Sequence, residues 1–275
     1  MPQYHCHGQQ LHYLDEGNPN GFPLLLGHSY LWDSAMWAPQ IAALKQQYRC
    51  IVPELWGHGR SDNLPADKPL TMTTLANDHH ALMQSLGLAR YAVVGLSVGG
   101  MWGIELALKH PEAVAALAVL DSDVGEEPAP SRQQYFQLLA AVEQSGCVPE
   151  PVIQACTPIF LGPATRAGQP ELVAQLQASL RNVSASQVPT LVRLGRMIFS
   201  RQSRLEHLTG LNCPLLFAAG SDDIARPFAE AERMAKLAGP NAELVSIPDA
   251  GHISALEQPE AVTDMLERFL TQALS

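Results

Sequence analysis

No apolar run in the 275-residue chain is long enough to cross a bilayer, which argues against a helical membrane protein. The basic-then-apolar pattern of a secretory leader is also missing, since Met1 to Gln10 is polar, so a cytoplasmic location is expected. Positive charge is scarce. The 17 Lys and Arg residues stand against 27 Asp and Glu, and the net charge of -10 disfavours a nucleic-acid partner, which needs a basic face. Cysteines are few and scattered: Cys6, Cys50, Cys147, Cys156 and Cys213 are odd in number and never form Cys-x-x-Cys. A disulfide framework or a structural zinc site is therefore not expected. His5, Cys6, His7 and His12 gather near the N-terminus without completing a ligand set and read as exposed strand residues. No metal and no cofactor is anticipated. Internal repeats and low-complexity tracts are absent as well.

What remains is a chain that is 47% hydrophobic and long enough for one large α/β domain or a core carrying an insertion. Gln9 to Glu16, followed by the turn-forming Asn18-Pro19-Asn20-Gly21, predicts an N-terminal hairpin. Short apolar runs at Pro23–Leu26, Arg49–Pro53 and Ala115–Leu120 predict buried strands. Ala35–Gln47, with Met36, Ile41, Ala42 and Leu44 inward, and Thr73–Leu86 have helical spacing. The adjacent His79 and His80 are expected at the surface of the second of these, because neighbouring positions on a helix cannot face one point. Trp37 reads as core, and Trp102 as packing under the sheet edge.

Between Asp123 and His207 the alternation breaks. Prolines punctuate this stretch, which carries helical segments at Ser131–Glu143, Glu171–Leu180 and Thr190–Arg201 and no convincing strand. Alternation resumes with Pro214–Ala219, Arg226–Ala238, Ala242–Ile247 and Pro259–Leu270. The order implies a mainly parallel sheet with helices on both faces. The expected division is an α/β core over residues 1–122 and 209–275, with a helical cap over 123–208.

The most informative segment is Tyr91-Ala92-Val93-Val94-Gly95-Leu96-Ser97-Val98-Gly99-Gly100. An apolar strand ends in Gly-x-Ser-x-Gly, and a helix-like run follows to His110, stopped by Pro111. The turn leaves no room for flanking side chains and lifts Ser97 above the sheet edge on a strained backbone. A hydroxyl over the positive end of a helix is placed to attack a carbonyl. Serine needs a base, and the base an orienting acid. The strand Ala242–Ile247 leads into Pro248-Asp249-Ala250-Gly251-His252, and the strand before it ends in Gly220-Ser221-Asp222-Asp223. In a parallel sheet Ser97, an aspartate and His252 project from one rim.

Four patterns now carry a resemblance spanning nearly the whole chain: the serine elbow, Gly57-His58-Gly59-Arg60-Ser61, Gly220-x-x-Asp223-x-x-x-Pro227, and Gly251-His252. The sequence resembles the α/β-hydrolase superfamily, in its serine esterase and enol-lactonase-like branch with a helical cap. The resemblance implies Ser97 as nucleophile, His252 as base and Asp223 as acid. Asp222 is the rival by position. Asp121 and Asp123 stay in view because some relatives carry the acid one strand earlier. Val98 is implied as one backbone oxyanion donor. The loop Leu26-Gly27-His28-Ser29 inverts the usual His-Gly order, so Ser29 is the second donor, or Tyr30 if the loop shifts. His28 is expected to bond the loop backbone, and Glu54 to hold the loop that follows it.

The expected function is hydrolysis of a small carboxylic ester, with an enol-lactonase or a carbon–carbon bond hydrolase of aromatic degradation as alternatives. Outside enzymes, a small-molecule receptor retaining the triad is the alternative. The partner is a small ester or lactone, and the oligomeric state is open. Tyr30 and Trp32 are candidate substrate contacts. Arg132, Arg166, Arg181, Arg193, Arg196, Arg201 and Arg204 outnumber the acidic residues of the cap. Those arginines read as surface or core contacts, or, more sharply, one within Thr190–Arg204, Arg196 first, binds a substrate carboxylate. Tyr135, Phe136, Ile159, Phe160, Met197 and Phe199 suggest a partly apolar pocket.

Overall fold

The structure is a computed structural model and describes residues 2–275; Met1, with which the N-terminal reading begins, lies outside them. Among the described residues eight strands form one sheet, in the order β1-β2-β4-β3-β5-β6-β7-β8. They are β1 (Gln3–Cys6), β2 (Gln9–Gly17), β3 (Phe22–Gly27), β4 (Tyr48–Pro53), β5 (Tyr91–Leu96), β6 (Val114–Leu120), β7 (Leu215–Gly220) and β8 (Ala242–Ile247). β1 pairs antiparallel with β2, and β2 antiparallel with β4. All later pairings are parallel.

The helices α1 (Ala38–Leu44), α2 (Met72–Ser85), α3 (Val98–Lys109), α9 (Phe228–Ala238), α10 (Ser254–Glu257) and α11 (Pro259–Ala273) accompany the sheet. α1 packs on α11, and α2 on α3. With its faces covered, the sheet buries β5, β6 and β7 along their whole length, which is why they read as unbroken apolar runs. Each fully buried Leu or Val there contributes roughly 1.5–3 kcal/mol. No helix is long and apolar enough to cross a membrane, among the described residues.

Between β6 and β7 lie five helices: α4 (Ala129–Ser145), α5 (Glu150–Phe160), α6 (Pro163–Gly168), α7 (Pro170–Arg181) and α8 (Val188–Phe199). α4 packs on α8, and α5 on α7. Several arginines between β6 and β7 are spent on contacts. Arg193 donates to the carbonyls of Leu64, Pro65 and Lys68, tying α8 to a core loop. Arg201 pairs with Glu127 at 2.9 Å, Arg181 with Glu150 at 2.9 Å, and Arg204 with Glu105.

Three expectations need correction. The N-terminal hairpin is β1–β2, closed by His7 (φ 55) and Gly8 (φ 77); the Asn18–Gly21 turn leads instead to β3, which pairs with β4 and β5. Ala42 is exposed, because Gln40, Ile41 and Leu44 are the residues of that helix that turn inward. His79 and His80 are buried: His79 packs on Trp102 with ring centroids 4.4 Å apart, and His80 Nδ1 lies 2.7 Å from the Tyr91 hydroxyl. A helix wedged against both a neighbouring helix and the sheet hides adjacent positions at once.

Burial lowers the His58 and His79 imidazoles to about 3. An unfolded imidazole protonates near ~6.5, so stability is full above that pH and is lost as pH falls toward about 3. Both ring nitrogens of His79 also lack hydrogen-bond partners. His79→Phe is expected to raise stability at pH 5 by about 1–3 kcal/mol, read from urea midpoints, with a smaller gain at pH 8.

Candidate active site

Strand order reverses between β3 and β5: β3 is followed in sequence by β4 on one side, β5 by β6 on the other. Such a switch opens a crevice at the carboxyl ends of the strands. The loops after β3 and β5 carry residues 28–31 and Ser97. Backbone strain collects at this rim, with positive φ at Leu31, Ser97, Asp121 and Asp249. Each costs on the order of 1–3 kcal/mol and persists only where surrounding contacts enforce it.

Ser97 has φ 58 and ψ -121 at the N-terminus of α3. The elbow passes so close to β3 that a Cβ on Gly99 would fall on the Gly27 carbonyl. Ser97 N–H donates to Leu120 O at 2.9 Å, and Ser97 O accepts from the Ser122 hydroxyl at 2.7 Å. The turn is thereby locked to β6.

The three separated residues meet. The Ser97 hydroxyl lies 3.0 Å from His252 Nε2, and His252 Nδ1 lies 2.9 Å from Asp223 Oδ2. Asp223 Oδ1 accepts from the Ala225 and Arg226 backbone N–H groups at 2.8 and 2.9 Å, so its other oxygen is aimed at the imidazole. The His252 N–H donates to Phe160 O at 3.0 Å, joining the histidine loop to the end of α5. With Nδ1–H on the carboxylate, Nε2 is free to accept the serine proton. Asp222 is half-buried outside this relay, its N–H donating to Ala250 O at 2.9 Å. Asp123 pairs with Arg233 at 2.9 Å.

Asp121 is fully buried beside the relay. Its oxygens accept from Gly220 N–H at 2.8 Å and from the Ser254 hydroxyl, joining the loop that carries Asp223 to the one that carries His252. Burial and the nearby Asp223 carboxylate push its pKa well above the usual range.

The loop after β3 is held by two histidines. His28 Nε2 accepts from Leu55 N–H at 2.9 Å, which leaves Nδ1–H to donate to Ser29 O at 2.8 Å. His58 Nε2 accepts Leu31 N–H at 3.0 Å, while its Nδ1 faces Trp56 O at 3.0 Å. Burial lowers both imidazoles and keeps them neutral scaffolding. Glu54 accepts from the Ser34 hydroxyl and Arg60 N–H, both at 2.6 Å, and so holds its loop. The Gly57–Ser61 pattern of the sequence contains His58 but gives no sign of this bond to the loop after β3.

A cavity of about 80 Å³ lies over Ser97, with Ser29, Tyr30, Leu31, Met101, Leu139 and Val152 among its walls. Tyr135, Ile159, Phe160 and Phe199 line it as expected; Phe136 is 39% exposed and Met197 borders a different groove. Tyr30 is in the wall, its hydroxyl donating to Leu191 O at 2.8 Å. Trp32 stands behind Phe160, ring centroids 6.2 Å apart, and is not brought to the cavity. Neither is Arg196, which is 54% exposed and bonded to Glu143 at 2.6 Å. The arginine among the lining residues is Arg226, from the loop after Asp223. Its position in the acid loop, outside the arginine-rich insertion, hid it from the sequence reading.

Cys6, His7 and Asp78 come together with ligand atoms within 4.8 Å of one another, beside Trp56. Burial and the Asp78 carboxylate push the Cys6 thiol up to about 12, which opposes the thiolate a metal would need. Asp78 is satisfied by His7 at 2.8 Å and by Trp56 Nε1–H at 3.0 Å. His12, expected at the surface, is buried with Nδ1 3.0 Å from Glu54.

The family model for the alpha/beta hydrolase fold matches residues 21–145. A RutD protein of Caulobacter vibrioides (strain NA1000 / CB15N), named for carbamate hydrolysis, is 33% identical over 271 residues, covering 96% of each chain. The chain is a member of the α/β-hydrolase superfamily. Two solved structures agree closely with it. A thermophilic esterase from Thermogutta terrifontis superposes with a TM-score of 0.87 at 28% identity, covering 97% of this chain and 95% of that one. The enol-lactonase from Burkholderia xenovorans LB400 gives 0.85 at 25% identity, over 98% and 100%. These relatives are hydrolases, and so, at that level, is this α/β-hydrolase.

Proposed function

We propose that the protein is a serine hydrolase that cleaves a small carboxylic ester through an acyl-enzyme on Ser97. The observation that carries this reading is the continuous relay from the Ser97 hydroxyl through His252 to Asp223, at 3.0 and 2.9 Å, beneath a largely apolar cavity. Helices α4 to α8 act as the cap over residues 123–208, and the core comprises 1–122 and 209–275. His252 Nε2 takes the proton as the serine oxygen attacks the ester carbonyl. The imidazolium, stabilised by Asp223, then protonates the leaving alcohol. Water activated by the same imidazole attacks the acyl-enzyme and frees the acid and Ser97.

The tetrahedral oxyanion sits against the backbone N–H groups of Val98 and Ser29. In comparable sites each such donor is worth roughly 3–4 kcal/mol. Leu31 N–H is committed to His58, and Ser29 O is occupied by Trp32 N–H at 3.2 Å and by His28. These bonds fix the peptide planes of the loop without using the Ser29 N–H.

Turnover separates this reading from that of a receptor retaining the triad. With p-nitrophenyl acetate, the wild type is expected to release many equivalents of nitrophenolate per chain. Ser97→Ala is expected to release none above background. A single stoichiometric burst from the wild type would favour the receptor.

A further inference from the structure

The acid of the relay sits on a turn that apolar packing alone does not hold. Between Asp223 and α9, Ile224 is 66% exposed, Pro227 is exposed and Ala225 is half-buried. Arg226 is the buried residue of this turn. Its backbone N–H and that of Ala225 fix Asp223 Oδ1. The aim of the carboxylate is therefore only as firm as the anchor of the Arg226 side chain.

That anchor is Glu127. The chain leaves β6 through residues 121–128 and returns to β7 through 200–214, and Glu127 lies on the outgoing segment. Its Oε2 accepts from Arg226 and, at 2.9 Å, from Arg201 on the returning segment. Its Oε1 accepts from the Ser131 hydroxyl at 2.8 Å, in the first turn of α4. Although burial opposes ionisation, Arg226 and Arg201 hold the Glu127 carboxyl below the usual carboxylate range. All three side chains are at most 4% exposed. Close by, Arg204 N–H donates to Val124 O at 2.7 Å and joins the same two segments. Arg226 also reaches Glu230 of α9, at the longer distance of 3.4 Å. Charges buried this deeply are costly unless each meets its partner in one geometry, so such a network is better suited to fixing position than to adding stability.

We propose that Glu127 is a positioning residue for the catalytic acid: through Arg226 it fixes the turn whose N–H groups aim Asp223 at His252. The inference rests on the reading of Ser97, His252 and Asp223 as the relay, and adds a side chain that touches no reacting atom. An acid free to swing no longer holds the imidazole in one tautomer and orientation, and a misplacement on the order of 1 Å can cost about 100-fold in rate. Glu127 is not among the residues that line the cavity, so the loss falls on kcat rather than on KM.

The test is steady-state hydrolysis of p-nitrophenyl acetate, with thermal melts confirming the fold of each variant. Glu127→Gln keeps the size of the side chain and loses its charge. It should lower kcat about 10–100-fold, with KM within about threefold of wild type. In an Asp223→Asn protein, where the aim of the acid no longer matters, the same change should lower kcat by less than about twofold more. A residue that merely supported the insertion would show its full loss in both backgrounds. Arg226→Met leaves Glu127 its pair with Arg201 and should lower kcat to the same extent as Glu127→Gln, with little further loss when the two are combined. If Glu127→Gln does not fold, Arg226→Met carries the comparison with Asp223→Asn alone. Arg233→Met is the control. It removes an ion pair to Asp123 on the same outgoing segment without touching the acid turn, and should stay within about twofold of wild type. Glu127→Gln as fast as wild type overturns the proposal, as does an equal loss in Arg233→Met. So does a loss that carries over undiminished into Asp223→Asn. An Asp223→Asn enzyme as fast as wild type would instead remove the acid assignment on which the proposal stands.

Discussion

Asp223→Asn is expected to lower kcat about 10⁴-fold in a protein that still folds. The reason lies in how the carboxylate is held. Oδ1 is fixed by the Ala225 and Arg226 N–H groups, so an asparagine would place its carbonyl there and turn its amide toward His252. An N–H donor facing Nδ1 forces the proton onto Nε2, the nitrogen that must accept from Ser97. Asp222→Asn, at the adjacent half-buried position, should change kcat by less than about twofold, since surface changes away from the site are nearly neutral. Steady-state rates on p-nitrophenyl acetate, with thermal melts confirming the fold, decide between the two aspartates. A loss with Asp222→Asn and none with Asp223→Asn would move the acid by one residue.

The second large effect is on stability. Gly99→Val places a branched side chain where a Cβ already meets the Gly27 carbonyl, at the crossing of β3 and the elbow. Backbone cannot yield there as a side chain can, so the cost is expected at about 3–5 kcal/mol. For a chain of this size that corresponds to a melting temperature lowered by about 6–20 °C. Gly168→Ala is the control. It ends α6 with nothing within 4 Å of an added Cβ, and it should melt within about 2 °C of the wild type or slightly above it. Equal melts for the two variants would mean that the elbow is not packed as tightly as the structure places it.

Much of the core was legible because its signals are local. Continuous burial makes β5, β6 and β7 plain apolar runs, and Pro259 opens α11 where proline costs nothing. Ser97, Asp223 and His252 follow strands β5, β7 and β8, so a parallel sheet alone gathers them at one rim. Other features depend on what packs against them from afar. α5 carries Pro158 in its last turn, and that proline masked a helix held in place by α7. The burial of His79 comes from Trp102, which is distant in sequence. The partners of Arg196 and Arg226 are set by tertiary contacts, so charge balance along the insertion could not tell a surface pair from a wall of the cavity. The burial of the Ser29 hydroxyl without a hydrogen-bond partner is of the same kind, since a missing partner is visible only once every neighbour is placed.

The nucleophile is the claim on which the chemistry turns, and a covalent serine probe reaches it directly. Wild-type protein treated with a fluorophosphonate and mapped by peptide mass spectrometry should carry one adduct, on Ser97, with loss of esterase activity in proportion to labelling. Ser97→Ala should carry none. An adduct on another serine, or full inactivation with Ser97 unmodified, would contradict the account.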